Sequence, residues 1–352
     1  MSDPDRPWKT ATRPPGVPEG AVVRVFRVPP ESAGMRVDVF LSSALRNTSR
    51  TRAKLIAENG VFTLAGRKVR ANDRVKAEEH LAVWRIPPDE PDEAVPLPIL
   101  YEDPHLLVVD KPPMIAVHPT ARHHTATVIK LLEAKTPGQF YSLIHRLDRE
   151  TSGILLCGKT RSADRAFKSM IEDRSIAAAT GAPVRTVRKG AFAGPVQKTY
   201  LAITWGTPES GIIDLPLERD PENSLRVKMR VVSNGLESRT KVTVLATAGG
   251  YALVECELLT GRQHQIRIHL SSTGTPIVGD KLYGPDERLL ARAADGELTD
   301  EDLAKLELPR HALHAHRYSL THAVTGEPLS LVSPLPDDLA RFFAEHGGVV
   351  PR

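Results

Sequence analysis

The tightest constraint on how this chain can fold is a series of short apolar runs rich in β-branched and aromatic residues. HLLVVD, GILLCG, KTYLAITWG, KVTVLATA and YALVECELL follow one another between residues 105 and 259. Their length, and the turn residues that bound them, mark them as strands. Helical periodicity is rarer; it is clearest in ADRAFKSMIE, where Ala163, Ala166, Phe167 and Met170 share a face. Strands outnumber helices and many are joined by turns, which predicts an α+β sheet rather than regular βαβ alternation.

At 352 residues the chain has room for two domains. IPPDEPDEAVPLP, residues 86–98, is rich in Pro and acid, can form neither a helix nor a central strand, and reads as a linker. Residues 99–346 beyond it form the expected larger domain. Ahead of it, residues 34–85 form a small basic unit. Residues 36–76 carry ten Lys/Arg against three Asp/Glu, a net +7 in a chain that totals +4. In RVDVFLSSALRN, residues Val37, Phe40, Leu41, Ala44 and Leu45 make the apolar stripe of a helix. NTSRTRAKLIAENG predicts a second helix, with Thr48 or Ser49 as N-cap and Gly60 past its end. Arg50 and Lys54, four apart, project from one face of it. VFTLAGRKV reads as a hairpin turning at Ala65 and Gly66. Positive charge this dense on a small unit predicts a grip on a polyanion, the alternative being a solvated charged face. The opening MSDPDRPWKTATRPPGVPEG lacks the apolar core of a signal peptide, and residues 1–33 are read as a disordered tail.

Composition closes off several functions. No apolar run approaches the roughly 18 residues that span a bilayer, so no membrane partner is expected. Cys157 and Cys256 each sit inside a strand-like run and read as buried thiols of a reducing cytoplasm. There is no glycine-rich phosphate loop, dinucleotide fingerprint or Cys-x-x-Cys pair. Histidines gather in HPTARHH (His118, His123, His124), a Pro/Thr loop with no nearby carboxylate or thiol at ligand spacing, and in RHALHAHRY, where His314 and His316 share a strand face but no third ligand is indicated. No metal is expected. Residues 176–196, IAAATGAPVRTVRKGAFAGPV, read as a mobile basic loop that either touches a nucleic-acid backbone or is a tolerated insertion.

What remains is acid chemistry with arginine support. In LIHRLDRETSGILLCG, residues 143–158, Asp148 lies between Arg146 and Arg149 just ahead of a strand, and Gly153 permits a sharp turn. An ion pair at a loop is the bland reading. A carboxylate at the lip of a sheet with arginine nearby stays ionised, which suits nucleophilic attack, proton abstraction or cation stabilisation but not proton donation. A second carboxylate at glycosidase spacing is not signalled. A second cluster, LLTGRQHQIRIHLSSTGTPIVGDKLYG, sets Arg262, His264, Gln265, Arg267 and His269 within eight residues after an apolar strand. Burying them requires partners, such as Asp148 and a phosphate- or base-bearing ligand. An exposed polar strand is the alternative.

At these residues the chain resembles the RluA family of pseudouridine synthases. YEDPHLLVVDKPPMIAVHP, HRLDRETSGILL, QKTYLAITWG, LLTGRQHQIRIHL…GTPIVGDKLYG and HALHAHRYSLTH…GEPLSLVSPLP match its blocks, in its order, over roughly residues 97–340. The front unit, centred on SRTRAKLIAENGVFTLAGRKV, resembles the small RNA-binding domain first known from ribosomal protein S-four. It has Val61-Phe62-Thr63-Leu64-Ala65-Gly66 where that family usually has Val-x-Val-Asn-Gly.

The resemblance implies the pseudouridine synthase fold, a mixed and largely antiparallel sheet with flanking helices, and the isomerisation of chosen uridines in RNA without metal or organic cofactor. It implies Asp148 as the catalytic carboxylate, acting covalently on sugar or base or removing the 2′ proton to give a glycal. Tyr200 is implied as a ring that packs on the target base, with a phenol that helps remove the final carbon-bound proton. Arg267, in preference to Arg262, is the implied partner of Asp148. Arg146 is implied to extrude the target nucleotide and take its place, since the reacting atoms are unreachable inside a stacked helix. Arg262 and His264 join the expected substrate contacts, Arg50 and Lys54 the RNA contacts of the front unit, and Arg149 is structural. Three departures stand out: Met114 where the family usually has glycine, Gln263 for a common threonine or serine, and a longer stretch between Arg174 and Gln197. Large-subunit ribosomal RNA is the leading substrate, transfer RNA the second, with the protein acting as a monomer. A non-catalytic RNA-binding protein on the same fold and an RNA glycosidase that releases uracil are the alternatives.

Overall fold

The computed structural model describes residues 11–19, 21–45, 48–85, 95–119, 126–180, 196–223, 227–295 and 297–351. The chain divides into two compact units, Met1–Glu90 and Pro91–Arg352.

The smaller unit contains β1 (Val22–Arg27), α1 (Val37–Ala44), α2 (Arg50–Gly60), β2 (Val61–Thr63) and β3 (His80–Arg85). Its strands pair antiparallel in the order β1-β3-β2. The apolar stripe of α1 (Val37, Phe40, Leu41) meets Ala53 and Ala57 of α2 and Leu81 and Val83 of β3 in one core. Ser49 caps α2, its hydroxyl accepting from the Arg52 N–H at 3.2 Å. Gly60 is the last helical residue rather than the one beyond; it packs so tightly on the Trp84 carbonyl that a Cβ would collide there. The expected turn forms, with the Gly66 N–H donating to the Thr63 carbonyl at 3.0 Å. Its return arm makes only a single bridge, Lys68 to Phe62, and the strand opposite β2 is β3. The tail expected through residue 33 gives way earlier, because Val22–Arg27 pairs with β3 along its whole length. Long-range pairing orders a short valine-rich segment that local punctuation had placed outside the fold.

The larger unit contains β4 (Ile99–Glu102), β5 (Leu106–Lys111), α3 (Val128–Lys135), β6 (Ser142–Leu143), β7 (Ser152–Gly158), α4 (Arg161–Thr180), β8 (Val196–Trp205), β9 (Gly211–Asp214), β10 (Leu217–Arg219), β11 (Met229–Val231), β12 (Arg239–Ala248), β13 (Tyr251–Leu258), α5 (Gln265–Ser272), α6 (Arg288–Asp295), α7 (Asp300–Leu306), β14 (Leu313–Thr321), β15 (Pro328–Val332) and α8 (Asp337–Glu345). Ten strands form one sheet, in the order β4-β5-β7-β14-β8-β13-β12-β9 with β15 on β14 and β6 on β7. Only the β14–β7 contact is parallel, so the sheet is mixed and largely antiparallel, with helices against it. Alternation along the strands builds a core on each face. Leu107, Val109, Leu155 and Cys157 pack with α3 and α8, while Leu106, Val108, Ile154 and Leu156 pack with α4. Both cysteines are free and buried, and burial pushes the Cys157 thiol up to about 12.

One local expectation changes. Residues 176–180, read as the start of a loop, continue α4, while 181–195 lie outside the described residues, as do residues 86–94 of the linker and His123 and His124. For the polar cluster after β13 the alternative of an exposed polar strand falls: α5 begins at Gln265, and its mixed polar and apolar side chains are buried together.

Candidate active site

Three neighbouring strands bring the sequence-distant residues together. Ala315 of β14 lies opposite Gly153 of β7 on one side and opposite Tyr200 of β8 on the other. Tyr200 in turn faces Cys256 of β13, the strand that feeds α5. The loop carrying Asp148, the tyrosine and the polar helix therefore converge at one end of the central strands. Gly153 has φ 105°, and any side chain there would strike the Ala315 backbone, so the sharp entry into β7 demands glycine.

The loop itself is tied down by backbone contacts. The Thr151 N–H donates to the Asp148 carbonyl (3.2 Å), and the Thr151 hydroxyl meets His311 Nε2 (2.7 Å). Beneath it the fully buried Lys111 ammonium donates to the carbonyls of Pro112 (2.8 Å), Ile115 (3.1 Å) and Arg149 (3.1 Å). Arg149 thus contributes its carbonyl, not an ion pair with Asp148. Glu150 faces another set of groups: Lys281 Nζ at 2.9 Å and the His311 N–H at 3.0 Å.

Asp148 is paired from a distance in sequence. Arg267 Nη1 donates to Asp148 Oδ2 at 2.9 Å. The rest of the guanidinium forks onto Asp280, Nε to Oδ2 at 2.6 Å and Nη2 to Oδ1 at 2.8 Å. Asp280 is itself fixed by the N–H groups of Leu282 and Tyr283, both at 2.9 Å. His264, held in the left-handed region at φ 55° as the N-cap of α5, points Nε2 at Asp148 Oδ1, 3.7 Å away. Its Nδ1 lies 3.0 Å from the Tyr283 hydroxyl, which accepts from the Met229 N–H, and the Gln263 amide nitrogen lies 3.5 Å from its Nε2.

These contacts settle the charge states. Burial works to raise the Asp148 pKa, but His264, Arg267 and His311 overcome it and hold the carboxyl well below the usual carboxylate range. Burial also takes His264 down to about 4, against the pull of Asp148, so the ring is neutral at pH 7 and the permanent cation beside Asp148 is Arg267. Asp148 keeps 22% of its side-chain surface open, so the ionised group is accessible from the cleft. Burial, and then the charge of Asp148, push the Tyr200 phenol up, so it keeps its proton at neutral pH.

The cleft measures about 290 Å³ and is lined by Arg146, Asp148, Lys198, Tyr200, Arg262 and His264, among others. All the sequence-singled site residues of the larger unit thus border one space. They are not equivalent. Arg146 is exposed at the edge. Arg262 spends its Nε on the Glu237 carbonyl (3.2 Å) and its N–H on Gln265 (3.0 Å), and is not among the partners of Asp148. In the smaller unit the exposed Arg50 reaches the buried Asp38 at 3.5 Å, and Lys54 is loosely paired with the exposed Glu58 at 3.9 Å. Asp280, Tyr283, His311 and Lys111 were not singled out from sequence. Asp280 and Tyr283 sit in the quoted GTPIVGDKLYG stretch, but nothing local separates a buried ion-pair acid from a turn acid. His314 uses both ring nitrogens structurally, on Ser152 (3.0 Å) and the Ser333 carbonyl (3.0 Å), and His316 bonds the same carbonyl at 2.7 Å. Among the described residues, no group of His, Cys, Asp or Glu is arranged to hold a metal ion.

Comparison with known proteins points the same way. Residues 105–272 match the family described as RNA pseudouridylate synthase. Ribosomal large subunit pseudouridine synthase D of Xanthomonas campestris pv. campestris is 32% identical over 336 residues, covering 93% of each chain. The Neisseria meningitidis protein of that name is 34% identical over 322 residues, 89% of this chain and 79% of that one. The solved structure of human RNA Pseudouridylate Synthase Domain Containing 4 superposes with a TM-score of 0.52 at 25% identity, covering 72% of this chain and 94% of that one. With relatives matching along nearly its whole length and a mixed sheet of the same fold, the chain belongs to the RluA family of RNA pseudouridine synthases and is an RNA-modifying isomerase.

Proposed function

We propose that this enzyme isomerises specific uridines of large-subunit ribosomal RNA, in the cytoplasm and as a monomer, with Asp148 as its catalytic carboxylate. One observation carries the assignment of Asp148. It is a solvent-reachable acid in the cleft, kept ionised by an arginine that a second, buried aspartate has already oriented. An ionised carboxylate serves either attack on the nucleoside or removal of the 2′ proton. Tyr200, with its phenol protonated, supplies a ring for the target base and a hydrogen-bond donor. Arg146, exposed at the edge of the cleft, is the side chain free to replace an extruded nucleotide, and Arg262 and His264 complete the wall that meets the substrate. The smaller unit, with β1 as its first strand from Val22, is an S-four-like RNA-binding domain joined to the catalytic domain by residues 86–98. Its Arg50 and Lys54 side chains are themselves exposed, and the Lys54–Glu58 pair is a weak surface pair that a phosphate readily replaces. Ribosomal RNA is favoured over transfer RNA because the relatives cited above carry ribosomal names.

Asp148→Asn is expected to abolish pseudouridine formation while leaving RNA binding nearly intact; undiminished activity would sink the assignment. Mapping pseudouridines in RNA from cells with and without the protein tests the substrate, and a missing transfer RNA pseudouridine alone would replace ribosomal RNA with transfer RNA.

A further inference from the structure

The smaller unit has a second basic surface that the reading above does not use. Arg52, Leu55, Ile56 and Asn59 follow the helical i, i+3, i+4, i+7 pattern and share a face of α2, on the side away from Arg50 and Lys54. That face borders a cavity of about 570 Å³ closed by Val17, Pro18 and Arg85, a volume within the range of small-ligand sites. Leu55 is 55% exposed although it is a large apolar side chain on a folded helix. Arg85, at the end of β3, has its pKa lowered by burial and then by the charges of Arg24 and Arg52. Among the described residues, neither Arg52 nor Arg85 has an acidic partner. Two guanidinium groups are therefore crowded together beside an apolar wall and an amide, with no acidic partner among the described residues.

We propose that this cavity is a binding site for one unpaired nucleotide of the RNA, its phosphate between Arg52 and Arg85 and its base against the apolar wall of Pro18 and Leu55. The inference rests on RNA as the partner. The composition favours a nucleotide over other anions. Crowded cations call for a phosphate, guanidinium planes and apolar side chains stack on a base, and the Asn59 amide offers a donor and an acceptor to a base edge. A paired base has its edge occupied and its faces stacked, so a cavity of this size selects single-stranded RNA.

The test uses the full chain and fluorescence anisotropy with a labelled uridine decamer and a blunt RNA duplex of equal phosphate number. R52Q/R85Q is expected to weaken decamer binding at least about tenfold. R67Q/K76Q removes the same charge from exposed positions of the same unit and is expected to cost less than about threefold. Leu55→Ser, at an exposed position that should not disturb folding, is expected to weaken the decamer but not the duplex. Matching melting temperatures exclude a folding defect. Equal losses in the two double variants, equal losses for decamer and duplex, or displacement of the decamer by poly-glutamate as readily as by unlabelled decamer would each overturn the proposal. Pseudouridine formation by the wild type, assayed in parallel, separates the two readings. An active wild type whose R52Q/R85Q variant binds the decamer unchanged defeats this inference alone; an inactive one with cavity-dependent binding defeats the functional reading alone.

Discussion

The cleft around Asp148 and the arginine-lined cavity of the smaller unit both concentrate guanidinium groups, and they handle the charge in opposite ways. In the cleft, Arg267 is bonded to two aspartates, and one of those is fixed by backbone N–H groups. In the smaller unit, Arg85 is crowded by Arg24 and Arg52. A cation paired within its own chain can only orient what it touches. One crowded by other cations is available binding energy, released when a polyanion arrives.

The largest effect expected from this contrast is on stability. Asp280→Asn leaves a buried guanidinium with half its charge compensation, a change that costs about 3–5 kcal/mol in comparable buried pairs. Urea unfolding should show that loss, together with lowered activity, whereas Arg52→Gln should shift the midpoint hardly at all. Equal shifts would erase the distinction. Acid should expose the same difference. Burial holds His264, His311 and His314 at about 4 and His145 at about 3, below the ordinary value of 6.5. The unfolded chain takes up protons there that the folded one refuses. The histidines' contribution to stability is thus complete above about pH 6.5 and is lost as pH drops from 6.5 towards 4, each pH unit costing up to about 1.4 kcal/mol per histidine. Asp148 and Asp280 add their loss only at still lower pH. A flat stability profile between pH 6.5 and 4 would contradict the neutral buried state of these rings.

Salt reads the other region. Removing residues 1–90 takes away the segment that carries the net +7 and should flatten the dependence of RNA affinity on salt, by about two to five in the log–log slope. An unchanged slope would remove the RNA role from that unit. The smallest effect concerns backbone alone. Met114 sits at φ 68°, largely exposed, at the position where the family usually has glycine. Met114→Gly should therefore raise stability by up to about 1 kcal/mol, where glycine normally lowers it.

Sequence patterning was a good guide wherever a residue's neighbours in space are also its neighbours in the chain. The strand runs, the stripe of α1, the Ser49 cap and the turn at Gly66 are all local. Resemblance reached further and put Asp148, Tyr200 and Arg267 on the list from which the cleft is built. What stayed hidden depends on long-range partners. Val22–Arg27 becomes a strand only because β3 lies beside it. The RQHQIRIHL stretch shows no clean period because its polar residues are buried along with its apolar ones; Gln265 is satisfied by Thr260, Thr240 and backbone, and His269 by Thr240 and Leu215. Arg149 lies nearest Asp148 in sequence, yet the partner that orients Asp148 is more than a hundred residues away.

The position of β14 has a consequence for how the enzyme is born. This strand comes late in the chain, yet it is the wedge between β7 and β8, touching the glycine that opens the Asp148 loop on one side and Tyr200 on the other. While the ribosome is still extending the polypeptide, those two strands have emerged with unpaired edges facing a gap. The nascent chain therefore cannot complete the cleft around Asp148 and Tyr200 until its final stretch is threaded into place. A chain that terminates before Leu313 should be both inactive and prone to stick to its neighbours through that open seam.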